Sequence, residues 1–224
     1  MTSSTASSIT PDSQGQANLK AVLAARVVPV LRYGDAATAA YAAEVAISAG
    51  CRCIELTWTT PGVLDVLTEL RNKHADSIIV GVGTVLNDTH ARDAVKAGAD
   101  FLVSPGLVPD LVDLAHAAGV LCLVGAFTPS EVIEARAMGA DVVKVFPADT
   151  GGPAHLKALK SVFPDTVFCP TGGVTAENMQ AYFAAGASLV GIGSNLFDKE
   201  AFARRETATL VEQIQATLAA SKAA

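Results

Sequence analysis

Lys144 stands in the phrase ADVVKVFPAD, Ala140 to Asp149, with valines on both sides. A charged amine in such a run is costly unless it is paired or put to use. Desolvation lowers a lysine pKa from about 10.4 by as much as several units, and the neutral amine that results can attack a carbonyl. The Schiff base formed is an electron sink that permits cleavage or formation of an adjacent carbon–carbon bond. That chemistry needs a proton shuttle. Glu55, in CRCIELTWTT, is a carboxylate flanked by Cys53, Ile54 and Leu56; apolar surroundings raise a carboxyl pKa and a nearby iminium lowers it, so the general acid/base role is assigned to Glu55 with its pKa left open.

Other residues have the character of substrate ligands. Arg32, ending VVPVLR, offers a rigid fork of donors suited to a carboxylate, and the Thr84 hydroxyl within GVGT adds another. Two glycine-rich turns, PTGGV with Gly172 and Gly173, and GIGSN with Gly193 and Ser194, present bare backbone N–H groups. Turns of that kind leading into helix N-termini make phosphate sites. Each alone is a weak signal; their place late in the chain, on consecutive elements, makes the pair more specific.

The elements that must position these groups follow one rhythm. Short β-branched runs alternate with Ala-rich stretches of helical spacing. Strands are predicted at Val27–Leu31, Arg52–Thr57, Ile78–Val82, Phe101–Ser104, Val120–Val124, Asp141–Phe146, Thr166–Pro170 and Ser188–Ile192. Helices are predicted at Asp35–Ser48, Thr89–Lys96, Pro109–Ala117, Ser130–Met138, Ala154–Ser161 and Ala176–Ala184, and a last one over Lys199–Ala219. Several end in phrases such as KAGAD and AMGAD, where a glycine supplies the left-handed stop. Nearly continuous apolar strands separated by helices imply a parallel sheet. Eight such units point to a closed (β/α)8 barrel in preference to a doubly wound sheet, with Gln16–Ala25 as a short extra helix over its bottom. The barrel is expected to occupy residues 16–224, and residues 1–15 a disordered tail.

In such a barrel, function gathers at the C-terminal ends of the strands. Alternation along a strand then groups Val142, Lys144 and Phe146 inward, and with them Cys53, Glu55 and Thr57 on the second strand. Val28, Val30 and Arg32 share a parity on the first, and Val80, Val82 and Thr84 on the third. Arg32, Glu55, Thr84 and Lys144 can thus meet in one small volume.

Simpler readings exist for each. Lys144 and Glu55 could be a buried structural ion pair, Arg32 a solvated strand end, and Thr84 a satisfier of loop backbone. Trp58, in the turn after the second strand, either narrows or stacks on one end of a pocket or covers the barrel rim. Two functions of other kinds also use these features. A metal-free sugar-phosphate isomerase could use Glu55 and the late glycine turns, and a non-catalytic barrel could merely bind a phosphorylated metabolite.

Composition excludes several classes. The chain has 224 residues, 50% hydrophobic, with a formal net charge of -6 and 16 scattered basic residues, so nucleic acid is not an expected partner. No apolar run approaches the roughly 18 residues of a membrane span, and the N-terminal stretch lacks a basic start and an apolar core. A cytoplasmic protein without membrane contact is expected. Neither GxGxxG nor GxxxxGK follows the early strands, so no nucleotide cofactor is expected. Cys51, Cys53, Cys122 and Cys169 have neither zinc-pair nor CxxC spacing, which predicts buried free thiols.

The ordered phrases VVPVLR, CIELTWTTPG, IIVGVGTVLN, FLVSPGLVPDL, VGAFTPSEV, VVKVFPAD and FCPTGGVTAENMQAYFAAGASLVGIGS resemble the family of 2-keto-3-deoxy-6-phosphogluconate (KDPG) and 4-hydroxy-2-oxoglutarate (KHG) aldolases. These are class I lyases that include a phosphogalactonate branch. The resemblance covers about Val27 to Phe197. It implies a (β/α)8 barrel, usually assembled as a homotrimer, that needs no metal or cofactor and takes a phosphorylated 2-keto-3-deoxy sugar acid as its small-molecule substrate. It further implies that Lys144 forms the Schiff base and Glu55 moves protons. By the same resemblance Thr84 binds the pyruvate carboxylate, Pro105 lies against the pyruvate moiety, and Phe146 shapes the pocket. Gly172, Gly173, Gly193 and Ser194 hold the phosphate. Many phosphogluconate enzymes carry an arginine four residues after the glutamate, where this chain has Thr59. Arg32 at the end of the first strand can serve the same carboxylate. The implied reaction is reversible cleavage to pyruvate and glyceraldehyde 3-phosphate, or, for the hydroxyoxoglutarate class, to pyruvate and glyoxylate.

Overall fold

The computed structural model describes residues 13–222. Residues 1–12 of the expected tail lie outside the described residues, and the first helix, α1 (Ser13–Ala25), begins at Ser13. Eight strands follow: β1 (Val27–Leu31), β2 (Cys53–Thr57), β3 (Ile79–Gly83), β4 (Phe101–Val103), β5 (Leu121–Ala126), β6 (Val142–Val145), β7 (Phe168–Pro170) and β8 (Val190–Ile192). All neighbours pair in parallel, in the order β7-β6-β5-β4-β3-β2-β1-β8. A parallel bridge between Thr171 and Gly191 brings the two ends of that order together. The Ser188 N–H to Phe168 carbonyl bond, 3.0 Å, reinforces this closure. The molecule is the (β/α)8 barrel that the alternating pattern predicts.

Helices α2 (Ala36–Ser48), α3 (Val63–His74), α4 (Asp88–Lys96), α5 (Leu111–Ala117), α6 (Pro129–Ala137), α7 (Ala148–Val162) and α8 (Met179–Ala184) link the strands. Three of them, α2, α4 and α6, start at a polar side-chain cap. Asp35 and Asn87 accept the Thr38 and His90 N–H groups, and Thr128 with Glu131 forms a reciprocal capping box ahead of Pro129. The helix ends carry the anticipated glycines: Gly50, Gly98, Gly119, Gly139 and Gly186 all have positive φ.

Three differences from the sequence expectation have local causes. Helix α3 is not among the predicted helices, although Val63, Val66, Leu67 and Leu70 form its buried face. Helix α7 contains Gly152 at φ 65°, ψ -173°, followed by Pro153, so its regular part starts close to the predicted Ala154. The single last helix is two, α9 (Lys199–Ala203) and α10 (Thr207–Ser221). The chain turns between them at Arg205, φ 54°, and Asp198 caps the first by accepting the Ala201 N–H.

Two apolar layers result. Outward strand residues such as Val27, Ile54, Val80, Val82, Leu102 and Val143 pack against the helices. Inward residues fill the lower barrel: Val28, Cys53, Ile79, Phe101, Leu121, Val142 and Cys169, with Val22 of α1 plugging the N-terminal end. The four cysteines are free and buried. Burial pushes the Cys51 and Cys169 thiols up to about 12, which leaves them protonated and inert. The apolar plug confines polar chemistry to the other end of the barrel.

Candidate active site

Strand alternation delivers Lys144 and Glu55 to the barrel interior from β6 and β2, as the sequence predicts. Lys144 is 6% exposed and Glu55 4%. Lys144 Nζ lies 3.5 Å from Glu55 Oε1, yet that oxygen accepts no hydrogen bond. A buried pair repays its desolvation only through close, well-bonded geometry. This pair lacks it, so the structural ion-pair reading is the weaker one. Lys144 Nζ also sits 5.4 Å from the centroid of the Phe146 ring.

The third strand corrects the expected parity. Val80 and Val82 face the helices, and Gly81 and Gly83 take the inward positions. A Cβ on Gly81 would overlap the Phe101 ring, and one on Gly83 the Glu55 carboxylate. The interior on this strand belongs to its neighbours' side chains, so its inward residues must be bare. Thr84 still reaches the site, by another route: its backbone is left-handed, φ 62°, which breaks the alternation. For a β-branched residue this conformation is costly and marks a place where backbone strain is held for a purpose.

Above the Lys144–Glu55 layer lies a cleft of about 510 Å³. Arg32, Thr84, Pro105, Lys144 and Phe146 line one part of it, and Gly172, Gly173, Gly193 and Ser194 another. Every sequence-predicted site residue except Glu55 therefore contributes to its wall, and Glu55 lies deeper, beside Lys144. Val30, Tyr33, Thr171 and Asn195 complete the lining. Tyr33 and Asn195 were not among the predicted site residues, although each directly follows one that was.

The geometry around each group is specific. Arg32 is exposed, but its fork is not loose: Nη1 donates to Thr59 Oγ1 at 3.1 Å and Nη2 to Thr84 Oγ1 at 3.0 Å. Ser104 Oγ donates to the Gly106 carbonyl at 2.7 Å and fixes the turn that carries Pro105. Gly125 of β5 is a further residue the sequence reading did not single out. A Cβ there would run into the Pro105 backbone, so this glycine lets the Pro105 turn fold over the barrel mouth.

At the other end, Gly172 and Gly173 have φ 97° and 69°. The Gly172 and Gly173 turn is tied to the start of α7 by the Asp149 N–H to Gly172 carbonyl bond, 3.1 Å. It is tied to the start of α8 by the Asn178 side chain, which donates to the Gly173 carbonyl at 2.9 Å. Gly193 precedes a short 3₁₀ turn at Ser194–Leu196, and the register of β1 with β8 sets it beside the end of β1. Trp58 does not line this cleft; it packs against the helix-facing core and stacks on His90, with ring centroids 4.1 Å apart. It covers the barrel rim, the second of the two roles considered for it.

Comparisons with known proteins agree with this architecture. The family model described as KDPG and KHG aldolase matches residues 19–214. The 2-dehydro-3-deoxy-phosphogluconate aldolase of Treponema pallidum (strain Nichols) is 34% identical over 194 residues, 86% of this chain and 92% of that protein. The KHG/KDPG aldolase of Escherichia coli (strain K12) is 34% identical over 176 residues, 78% of this chain and 82% of its own. Among solved structures, a KDPG aldolase from Legionella pneumophila, with pyruvate captured at low pH as a covalent carbinolamine intermediate, superposes with a TM-score of 0.81. It is 32% identical and covers 89% of this chain and 97% of that one. With a buried lysine and carboxylate at the barrel mouth and a family match across nearly the whole described chain, the protein belongs to the KDPG and KHG aldolase family of carbon–carbon lyases.

Proposed function

We propose that this class I aldolase cleaves a 2-keto-3-deoxy sugar acid 6-phosphate to pyruvate and glyceraldehyde 3-phosphate, with Lys144 as nucleophile and Glu55 as the proton carrier. The observation that carries the assignment is the buried pair at 3.5 Å whose carboxylate oxygen accepts no hydrogen bond. A carboxylate oxygen with no hydrogen bond of its own is free to accept the proton of a substrate hydroxyl.

The neutral form of an amine is the nucleophile. Lys144 Nζ adds to the C2 carbonyl, and loss of water gives the protonated imine. Glu55, directly or through a water, accepts the C4 hydroxyl proton. The C3–C4 bond breaks, its electron pair moves toward the iminium, and the C4 aldehyde departs. The remaining enamine takes a proton at C3 from Glu55, and water hydrolyses the imine to release pyruvate and free Lys144.

Recognition divides between the two ends of the cleft. Arg32 and Thr84 hold the C1 carboxylate, and Pro105 and Phe146 pack against the pyruvate carbons. The backbone around Gly172, Gly173, Gly193 and Ser194 takes the phosphate. Among the described residues lining the cleft, Arg32 and Lys144 are the only cationic side chains, so the phosphate end relies on backbone dipoles. Four exposed apolar side chains, Leu86, Leu107, Ile133 and Val162, are available to an assembly such as the homotrimer the family resemblance implies.

A turnover panel tests the substrate assignment. The 2-keto-3-deoxy-gluconate and 2-keto-3-deoxy-galactonate 6-phosphates should be cleaved with a kcat/KM at least about 100-fold above their unphosphorylated forms, since charge-assisted bonds to phosphate are each worth about 1.5–3 kcal/mol. Equal values would remove the glycine turns from phosphate binding and favour 4-hydroxy-2-oxoglutarate, whose distal group is a carboxylate.

A further inference from the structure

We infer that Thr59 is a positioning residue that sets the Arg32 guanidinium for the substrate carboxylate; the inference rests on the carboxylate role proposed above for Arg32. It comes from a chain of hydrogen bonds whose direction can be deduced. Arg32 Nη1 and Thr59 Oγ1 are 3.1 Å apart, and a guanidinium can only donate. At the far end, Thr57 Oγ1 donates to the Leu31 carbonyl at 3.1 Å. A hydroxyl has one hydrogen, so Thr57 is thereby spent as a donor. The 3.4 Å contact between Thr57 and Thr59 must then run from the Thr59 O–H to Thr57 Oγ1.

The chain therefore reads Arg32 N–H, Thr59 O–H, Thr57 O–H, Leu31 carbonyl. It ends on the residue next to the one where it began. Each link polarises the next, which strengthens the whole beyond isolated pairs. Thr60 braces the same corner: its Oγ1 accepts the Tyr33 N–H at 3.2 Å and lies 3.4 Å from Thr57 Oγ1. Trp58, between these threonines, is anchored by its N–H to the Gly83 carbonyl at 2.8 Å. Thr59 is thus presented by a turn pinned to both flanking strands.

The second Arg32 anchor, Thr84, comes from the strained end of β3. Together the two threonines hold one N–H on each terminal nitrogen and leave the other donors for substrate. An exposed arginine without them would sample many rotamers and bind a carboxylate only in a fraction of them. The chain thus uses a hydroxyl just past the end of β2 to aim an arginine from the neighbouring strand.

Steady-state kinetics of pyruvate release from the phosphorylated sugar acid test this in five proteins: wild type, Thr59→Val, Thr59→Ser, Arg32→Met and the Arg32→Met/Thr59→Val double variant. Valine keeps the branched shape and removes the hydroxyl. The expected result is a KM raised about 5- to 10-fold in Thr59→Val with kcat within about 2-fold, which is what loss of one partly solvated charge-assisted bond gives. Thr59→Ser should restore KM, and the valine substitution should add nothing in the Arg32→Met background. A KM for Thr59→Val within 2-fold of wild type overturns the inference. So does an undiminished effect in an Arg32→Met background that itself has a raised KM. An Arg32→Met enzyme with unaltered KM would instead remove Arg32 from carboxylate binding, and the inference would fall with that reading.

Discussion

Replacing Gly83 with alanine probes the site through its packing and removes none of the reacting groups. An added Cβ would overlap Glu55 Oε1 and lie 2.6 Å from Cδ and 2.9 Å from Cγ. Carbon atoms rest at about 3.5 Å, so the carboxyl carbon must retreat by about 0.9 Å. Glu55 is buried, with Lys144 Nζ 3.5 Å away, so the retreat changes where the proton carrier meets substrate. A misplacement of about 1 Å costs on the order of 100-fold in rate. Overpacking a barrel interior costs about 1–3 kcal/mol, which for a chain of this length lowers Tm by about 2–4 °C per kcal/mol.

The assay is pyruvate release coupled to lactate dehydrogenase, with Tm measured in parallel. Gly81→Ala is the control, because its Cβ would meet the Phe101 ring in the apolar layer below. The expected outcome is a comparable fall in Tm for the two variants, with kcat down about 100-fold in Gly83→Ala and far less in Gly81→Ala. A Gly83→Ala enzyme with kcat within about 3-fold of wild type would refute the placement of Glu55 at the reacting atoms.

Two further predictions concern proton handling and stability. Glu55→Gln, which keeps the shape and removes the base, should lower turnover by about 100- to 10,000-fold and leave pyruvate adduct formation at Lys144 much less affected; equal losses in both would make Glu55 an organiser of the pocket. Away from the site, His116 Nε2 lies 3.0 Å from Asp141 Oδ2, a hydrogen bond that raises the His116 pKa above 6.5 against an opposing effect of burial. A raised folded-state pKa means the added stability is fully present below the unfolded value and is lost as pH rises through the folded one. Urea unfolding should thus show a His116→Gln deficit that is largest near about pH 5.5 and shrinks by about pH 8.5; a deficit that grows with pH would contradict it.

The sequence makes the strand plan legible because a parallel barrel strand is buried on both faces and reads as a short apolar block between Gly-terminated helices. The observed β1 coincides with the predicted span, and β2 and β6 differ at their ends by one residue. Parity is legible where a polar residue declares the inner face, as Glu55 does on β2 and Lys144 on β6. On β3 nothing does. The run IVGVG offers valines that suit a helix-facing surface and glycines that look like turn residues, and only the volumes of Phe101 and Glu55 decide between them. The left-handed backbone of Thr84 could not have been read, because β-branched residues rarely adopt it. Likewise the Arg32–Thr59 contact joins two strand ends whose loops set the distance. The break at Arg205 has no glycine to announce it.

The central claim is that Lys144 forms a covalent imine with the keto acid. Borohydride reduction in the presence of pyruvate, followed by peptide mass mapping, tests it directly. The account predicts one stoichiometric adduct on the peptide containing Lys144, absent from Lys144→Met, with Glu55→Gln still labelled. No reducible adduct, or one on another lysine, would contradict it.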